Sequence, residues 1–273
     1  MKVFVLVENT SGPGGPEGEH GLSLYIKMKK TVFLFDTGQS DRFVRNAEIL
    51  GADLREVDAA VISHGHYDHG GGMAAFLAAN GHAPVYVHRR AFETHLSLRS
   101  DGSYADIGLD PGLEHNGRVV LTDGETNISE GAVLFCDVGN ACPVPSGNGN
   151  LFLKIENDLR PDDFAHEQSL LLEEEGKTVL ISGCSHRGIA NIVEKARDIV
   201  GRYPDTVIGG FHLKTRSCSP DAGSEARSVS EALLKTGADF YTGHCTGETA
   251  YGHMKEVLGD RLSALKTGDV LEI

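Results

Sequence analysis

An α/β architecture with helices packed outside mixed sheets is predicted from three observations. Short apolar, β-branched runs recur along the chain, helical patterns separate several of them, and glycines close many of those helices. The runs at 3–7, 22–26 and 31–35 follow one another as strands, and 59–62 and 84–87 continue the series around helical patterns at 41–50 and 72–79. A run at 119–121 precedes a second group at 169–172, 178–181, 206–208 and 239–241, set among helical patterns at 189–200, 224–234 and 249–258. Gly51, Gly81, Gly201, Gly237 and Gly259 stand where those helices should stop, because glycine ends a helix in the left-handed conformation without strain. Strand pairs dominate the first half and alternation of strand with helix returns in the second, which packs as mixed sheets under helices. Two stretches break the pattern: the Gly/Pro-rich 11–18, and a long polar segment from about 97 to 163 expected to hold only short strand-like pieces and to shape a site. No linker-like break divides the chain, so one domain over 1–273 is expected.

With 273 residues, 40% of them hydrophobic, the chain can bury a substantial core. A formal net charge of -14 argues against nucleic acid or anionic membrane as partner, since both bind through lysine and arginine. A small-molecule substrate is expected instead, and it can be phosphorylated if bound cations reverse the field of the pocket. The cysteines Cys136, Cys142, Cys184, Cys218 and Cys245 are odd in number and widely spaced, and the chain opens on a strand-like run. A cytoplasmic protein is therefore expected. No apolar run approaches the roughly 20 residues of a bilayer span.

The chemistry concentrates in Ser63-His64-Gly65-His66-Tyr67-Asp68-His69, which places three imidazoles and a carboxylate directly after the apolar run 59–62. Imidazole nitrogen and carboxylate oxygen are ligands for zinc, manganese or iron, and a sharp turn at a strand end can aim several at one point. The spacing splits into two pairs. His64 and His66 can chelate one ion while Asp68 and His69 reach a second, a geometry that holds a water or hydroxide between two cations.

Three later motifs share one grammar, an apolar run followed by glycine and then histidine: Gly183-Cys184-Ser185-His186, Gly209-Gly210-Phe211-His212-Leu213 and Gly243-His244-Cys245-Thr246-Gly247. Cys184 and His186 are ligand candidates by position. Of His212 and His244, one is expected to complete the second ion's shell and the other to donate a proton to a leaving group or bind its phosphate. His20, His82, His88, His95, His115 and His253 lack the grammar and are taken as ordinary, and His166 stays undecided. Asp36, at a strand-to-loop turn, is expected to accept backbone N–H bonds and support the metal loop.

Together, Phe35-Asp36-Thr37-Gly38, the His-x-His-x-Asp-His motif and the later strand-end motifs resemble the metallo-β-lactamase superfamily almost end to end. Within it the chain is similar to metal-dependent hydrolases related to dihydropterin-ribofuranosylaminobenzene 5′-phosphate synthase. The resemblance implies a four-layer αββα sandwich with two divalent metal ions at one edge of the paired sheets, zinc first and manganese or iron next. It assigns His64 and His66 to one ion and Asp68 and His69 to the other, with Asp68 also catalytic. By analogy with phosphodiesterase members, His244 is the last ligand and His212 the proton donor or phosphate binder. The sequence departs from the superfamily pattern by placing Cys184 where a bridging aspartate usually stands. It also lacks a clean third histidine for the first ion, leaving His186, His166 or Asp163, of which His186 is preferred.

The leading expectation is a hydrolase in which a metal-bound hydroxide attacks a small ester or phosphoester. A transferase of the dihydropterin-ribofuranosylaminobenzene type is the alternative, and a non-enzymatic metal or redox sensor resting on Cys184 and Cys245 is the third.

Overall fold

The computed structural model describes residues 1–12, 15–214 and 222–273. Cys218 and the centre of the Gly/Pro-rich stretch, Pro13 and Gly14, lie outside the described residues.

Two seven-stranded mixed sheets pack face to face. The first runs Val270–Glu272, Lys2–Val7, Ser23–Lys27, Val32–Phe35, Ala59–Ile62, Val85–His88 and Val119–Thr122, and its last four strands are parallel. The second runs Leu262–Ala264, Asp239–Thr242, Thr206–Gly209, Lys177–Ile181, Ser169–Glu174, Ala132–Phe135 and Thr126–Ser129, with the first four parallel. All ten strands and all five long helices expected from the sequence are present within one or two residues at most of their ends.

Strand alternation builds three cores from these two sheets. Phe33, Phe35, Ala59 and Val61 face Leu170, Leu172, Val179 and Ile181 across the gap between sheets. Their neighbours Leu34, Ala60 and Ile62 turn outward, onto Phe43 and Ala47 of the helix Arg42–Leu50 and Met73 and Phe76 of Met73–Ala79. On the far side Leu171, Leu180 and Val207 meet Ile189–Val200, Ala222–Leu234 and Glu248–Leu258. Strands buried on both faces explain why these segments read as continuous apolar runs. The layers are the expected αββα sandwich.

One expectation needs correction and one needs extension. The helix Met73–Ala79 stops at Asn80, in extended conformation, and not at Gly81; the Asn80 side chain accepts from the N–H groups of His82 and Ala83 and so ends the helix itself. The polar segment from 97 to 163 does hold only short strands, but it is not mere loop. Leu151–Ile155, Asp158–Pro161 and Tyr104–Asp106 join Thr94–Leu98 in a third, four-stranded antiparallel sheet, and Ala132–Phe135 is buried in the second sheet. Among the described residues no helix is long and apolar enough to cross a membrane.

Candidate metal centre

Parallel strands from both sheets end along one edge, and the candidate residues lie just past those ends. Asp36 follows Val32–Phe35, the histidine motif follows Ala59–Ile62, and 182–186, 210–212 and 243–247 follow three adjacent parallel strands of the second sheet. Two glycines permit the close approach: a Cβ on Gly183 would collide with the Ser63 side chain, and one on Gly210 would lie 2.5 Å from Cys245 Sγ. Asp36, Ser185, His212 and His244 all take positive φ, between 49 and 61°. Backbone strain of this kind, outside glycine, concentrates where a site is over-determined by its surroundings.

The donor atoms fall into two groups. His64 Nε2 lies 3.0 Å from His66 Nδ1, and the ring of His186 packs 4.9 Å from that of His64 and 5.0 Å from that of His66. Beside them, His69 Nε2 is 3.2 Å from both His244 Nε2 and Cys184 Sγ, while Asp68 Oδ2 is 3.3 Å from His244 Nε2 and 4.0 Å from His69 Nε2. His64, His66, His69 and His186 are all at most 5% exposed. Seven donors converge, from positions 64 to 244.

Outer hydrogen bonds decide which nitrogen of each ring carries its proton. Ser63 Oγ donates to Asp36 Oδ2 at 2.8 Å, so it accepts from His64 Nδ1–H at 2.8 Å. Asp36 Oδ2 takes His69 Nδ1–H at 2.6 Å, and Asp36 Oδ1 takes the Ser63 N–H at 2.7 Å. The two late histidines are held by matching devices. Asn9 donates to the His244 carbonyl and accepts from His244 Nδ1–H at 2.9 Å, while the carboxylate of Glu8 accepts the His244 N–H. Asn148 donates to the His186 carbonyl and accepts from His186 Nδ1–H at 2.9 Å, while Glu167 accepts the His186 N–H. Each of these four rings therefore presents an Nε2 lone pair to the centre, the tautomer that carboxylates and amides hydrogen-bonded to Nδ1 fix in histidines that bind cations.

A divalent cation fits this arrangement. His186 Nε2 is buried with no hydrogen-bond partner, which is costly for a bare nitrogen and resolved by a ligand. Burial first, and the surrounding imidazoles second, push His64, His66 and His186 well below the ordinary histidine range, so they are neutral donors. Burial also opposes the charge on Asp68, but His69, His20 and His244 overcome it and hold the carboxyl well below its usual range. Burial likewise works against protonated His69, and the carboxylates of Asp36 and Asp68 outweigh it.

The candidates for a third partner beside His64 and His66 separate clearly. His166 Nδ1 accepts the Gly65 N–H at 2.9 Å, so its proton sits on Nε2, which faces Asp162 Oδ2 at 3.3 Å; both nitrogens are engaged. Asp163 is exposed and pairs with Arg90. His186 alone of the three brings a free lone pair to the centre. His212 packs its ring 4.1 Å from that of His186, with a buried Nδ1 that has no partner.

His20 lacks the strand-end grammar and yet borders the site. Its Nε2 lies 3.2 Å from Asp68 Oδ2, and its side chain is 53% exposed, unlike the buried ligand candidates. Gly21, at φ +146°, lets this segment press against the Asp68 backbone. Glu8, Asn9, Asn148 and Glu167 also lack that grammar; each works through a backbone or ring N–H and leaves no spacing signature. Among the described residues, a cavity of about 1370 Å³ opens beside His244, with Asn9, Thr246, Lys214 and Lys266 in its walls.

A family model described as the metallo-beta-lactamase superfamily matches residues 17–235. The 7,8-dihydropterin-6-methyl-4-(beta-D-ribofuranosyl)-aminobenzene-5'-phosphate synthase of Methanocaldococcus jannaschii is 28% identical over 291 aligned residues, covering 100% of this chain and 96% of that protein. The crystal structure of a metal-dependent hydrolase of the beta-lactamase superfamily superposes with a TM-score of 0.81 at 31% identity, over 100% of this chain and 99% of that one. The Zn(2+)-bound PqqB of Methylobacterium extorquens is alike in fold alone, with a TM-score of 0.54 at 11% identity over 100% of each chain.

Proposed function

Because this chain belongs to the metallo-beta-lactamase superfamily, we propose that it is a metal-dependent hydrolase of a small ester or phosphoester, carrying two divalent cations with zinc as the first choice. His64, His66 and His186 would hold one ion; Asp68, His69, Cys184 and His244 would hold the other. When bound, such cations polarise the scissile group, stabilise developing negative charge and lower the pKa of a coordinated water. The observation that carries this reading is the set of outer hydrogen bonds that leaves four imidazole lone pairs aimed at one buried centre.

The protein's own groups supply the rest. His212, beside the first-ion ligands with an unpartnered Nδ1, would protonate the leaving group or bind its phosphate. Asp68 would hold the reacting centre between the two ion sites, with His20 Nε2 3.2 Å from its carboxylate on the outer side. The cavity next to His244 gives a small substrate room on the open side.

Elemental analysis should find two divalent ions per chain, and the metallated protein should turn over at least one member of a panel of phosphodiesters, thioesters and lactones. A second reading is favoured by the full-length similarity to the synthase. There the amine nitrogen of a ribofuranosylaminobenzene phosphate would form a C–N bond to a pterin 6-methylene, with loss of the methylene's leaving group and of one amine proton, so the two substrates of that condensation form a separate arm of the assay. Product in that arm alone would replace the hydrolase by the synthase. A fully metallated protein inert in both arms would sink both.

A further inference from the structure

The five histidines of the centre are not equally supported. His64, His69, His186 and His244 each donate Nδ1–H to a side-chain oxygen, from Ser63, Asp36, Asn148 and Asn9. His66 is reversed: Nδ1 faces His64 Nε2 at the centre, and Nε2 points away, buried and without a partner. If Nδ1 is a donor to the ion, as the proposed function requires, Nε2 carries the proton and needs an acceptor.

A complementary orphan lies beside it. His95 is completely buried, and its Nδ1–H donates to Asp162 Oδ2 at 2.8 Å, which places a bare lone pair on Nε2. That Nε2 is also buried and has no partner. Asp162 receives a second donor, His166 Nε2–H, and His166 in turn accepts the Gly65 N–H, so the group is tied to the histidine motif on its other side. Although burial opposes its charge, these two imidazoles hold the Asp162 carboxyl far below its usual range, so it is a full anion behind His95. The group is compact: His66, His95, Asp162 and His166 each offer an atom within 4.8 Å of the others. The tautomer of His166 leaves no lone pair at Nε2, so the group is not itself a third cation site.

We infer that His95, anchored by Asp162, is the outer hydrogen-bond partner of His66, linked through one water that accepts from His66 Nε2–H and donates to His95 Nε2. The rings of His66 and His95 meet edge to face with centroids 5.7 Å apart, each carries a buried Nε2 with no partner, and the donor and acceptor roles match, which suits one bridging water. His95 and Asp162 are positioning residues: they fix the ring of His66 and raise its basicity toward the ion. Thr94–Leu98 and the turn after Asp158–Pro161 supply them, which gives the third sheet a task at the centre that its sequence position does not suggest.

The test compares wild type with His95→Leu, Asp162→Asn and His95→Gln, each as full-length protein, by Co(II) and Zn(II) competition against a chelator and by the visible d–d spectrum of the Co(II) form. His95→Leu and Asp162→Asn should weaken binding of one ion about 10–100-fold and shift its spectrum, with the second equivalent unaffected. His95→Gln, which keeps a polar atom near the position of Nε2, should recover most of the loss. Far-UV circular dichroism of the metal-free variants identifies any that fail to fold, and the remaining variant of the pair decides. Affinity within twofold of wild type together with an unchanged spectrum would overturn the inference. His66→Ala separates it from the reading beneath it: full metal content in that variant refutes His66 as a ligand, whereas loss of one ion there with an intact His95→Leu centre refutes only the role of His95.

Discussion

Replacing Asp36 should separate the stability of the metal loop from its capacity to bind. The carboxylate is 0% exposed and accepts three hydrogen bonds, from Ser63 N–H, Ser63 Oγ–H and His69 Nδ1–H. Asp36→Ala strands all three donors, each an unsatisfied buried group costing about 1–3 kcal/mol, and partial relaxation brings the expected loss to about 3–5 kcal/mol. For a chain of this size that is a fall in melting temperature on the order of 10 °C in the metal-free protein. Asp36→Asn tests a different link. Asparagine tolerates the left-handed backbone at φ 59° and keeps one acceptor for Ser63 N–H, so the stability loss should stay near 1–2 kcal/mol. Its amide N–H, however, faces His69 Nδ1 and forces the ring proton onto Nε2, removing the lone pair that meets His244 and Cys184. One equivalent of zinc should then bind about 10–100-fold more weakly in chelator competition. An Asp36→Asn protein that retains both ions at wild-type affinity would show that the tautomer of His69 does not govern the centre.

Three further outcomes follow from other parts of the site. Burial pushes the Glu167 carboxyl from 4.5 up to about 7, despite the His186 and Arg187 N–H groups that favour its charge. A folded value above the unfolded one means stabilisation that is complete below about pH 4.5 and lost as pH rises through about 7; the unfolding free energies of metal-free wild type and Glu167→Gln should therefore diverge by about 3 kcal/mol between pH 4 and 8, and a constant difference contradicts the assignment. The Co(II) form should show a near-ultraviolet thiolate-to-cobalt band that Cys184→Ser abolishes and Cys245→Ser preserves; a band surviving Cys184→Ser removes that thiolate from the ligand set. Gly183→Ala drives a methyl group into the Ser63 side chain and should cost about 1–3 kcal/mol as well as metal affinity, whereas Gly81→Ala, with open space around it, should leave metal binding intact.

Much of this was legible in the chain. Strands such as Ala59–Ile62 and helices such as Ile189–Val200 declare themselves because both faces of the one are buried and one face of the other is apolar. The ligand candidates were legible because a glycine-histidine pair after an apolar run is a strand end opening on a cavity. The third sheet was not: Asp158–Pro161 is exposed along its whole length, and Leu151–Ile155, though apolar at four of its five positions, alternates only loosely between buried and exposed ones, so nothing local marks the two as paired strands. Nor were the residues that orient the ligands. Asn9, Asn148, Glu8 and Glu167 reach histidines 19 to 236 positions away through one or two hydrogen bonds each, and such pairing leaves no local period to detect. His20 and His95 were set aside for want of the strand-end grammar, His20 because it precedes a strand and His95 because it lies within one.

The bond from Glu8 to the His244 backbone joins residues 236 apart in the chain. At ribosomal speeds of about 5–20 residues per second, the stretch from His69 to His186 alone takes on the order of 6–23 s, during which the nascent polypeptide displays His64, His66, Asp68 and His69 with neither late histidine to complete them. A cation captured in that window is held by a fragment, with weaker grip and less discrimination between elements than the finished protein offers. On the proposed two-ion reading, the choice of cation would therefore be made only when the last strands dock and close the cage.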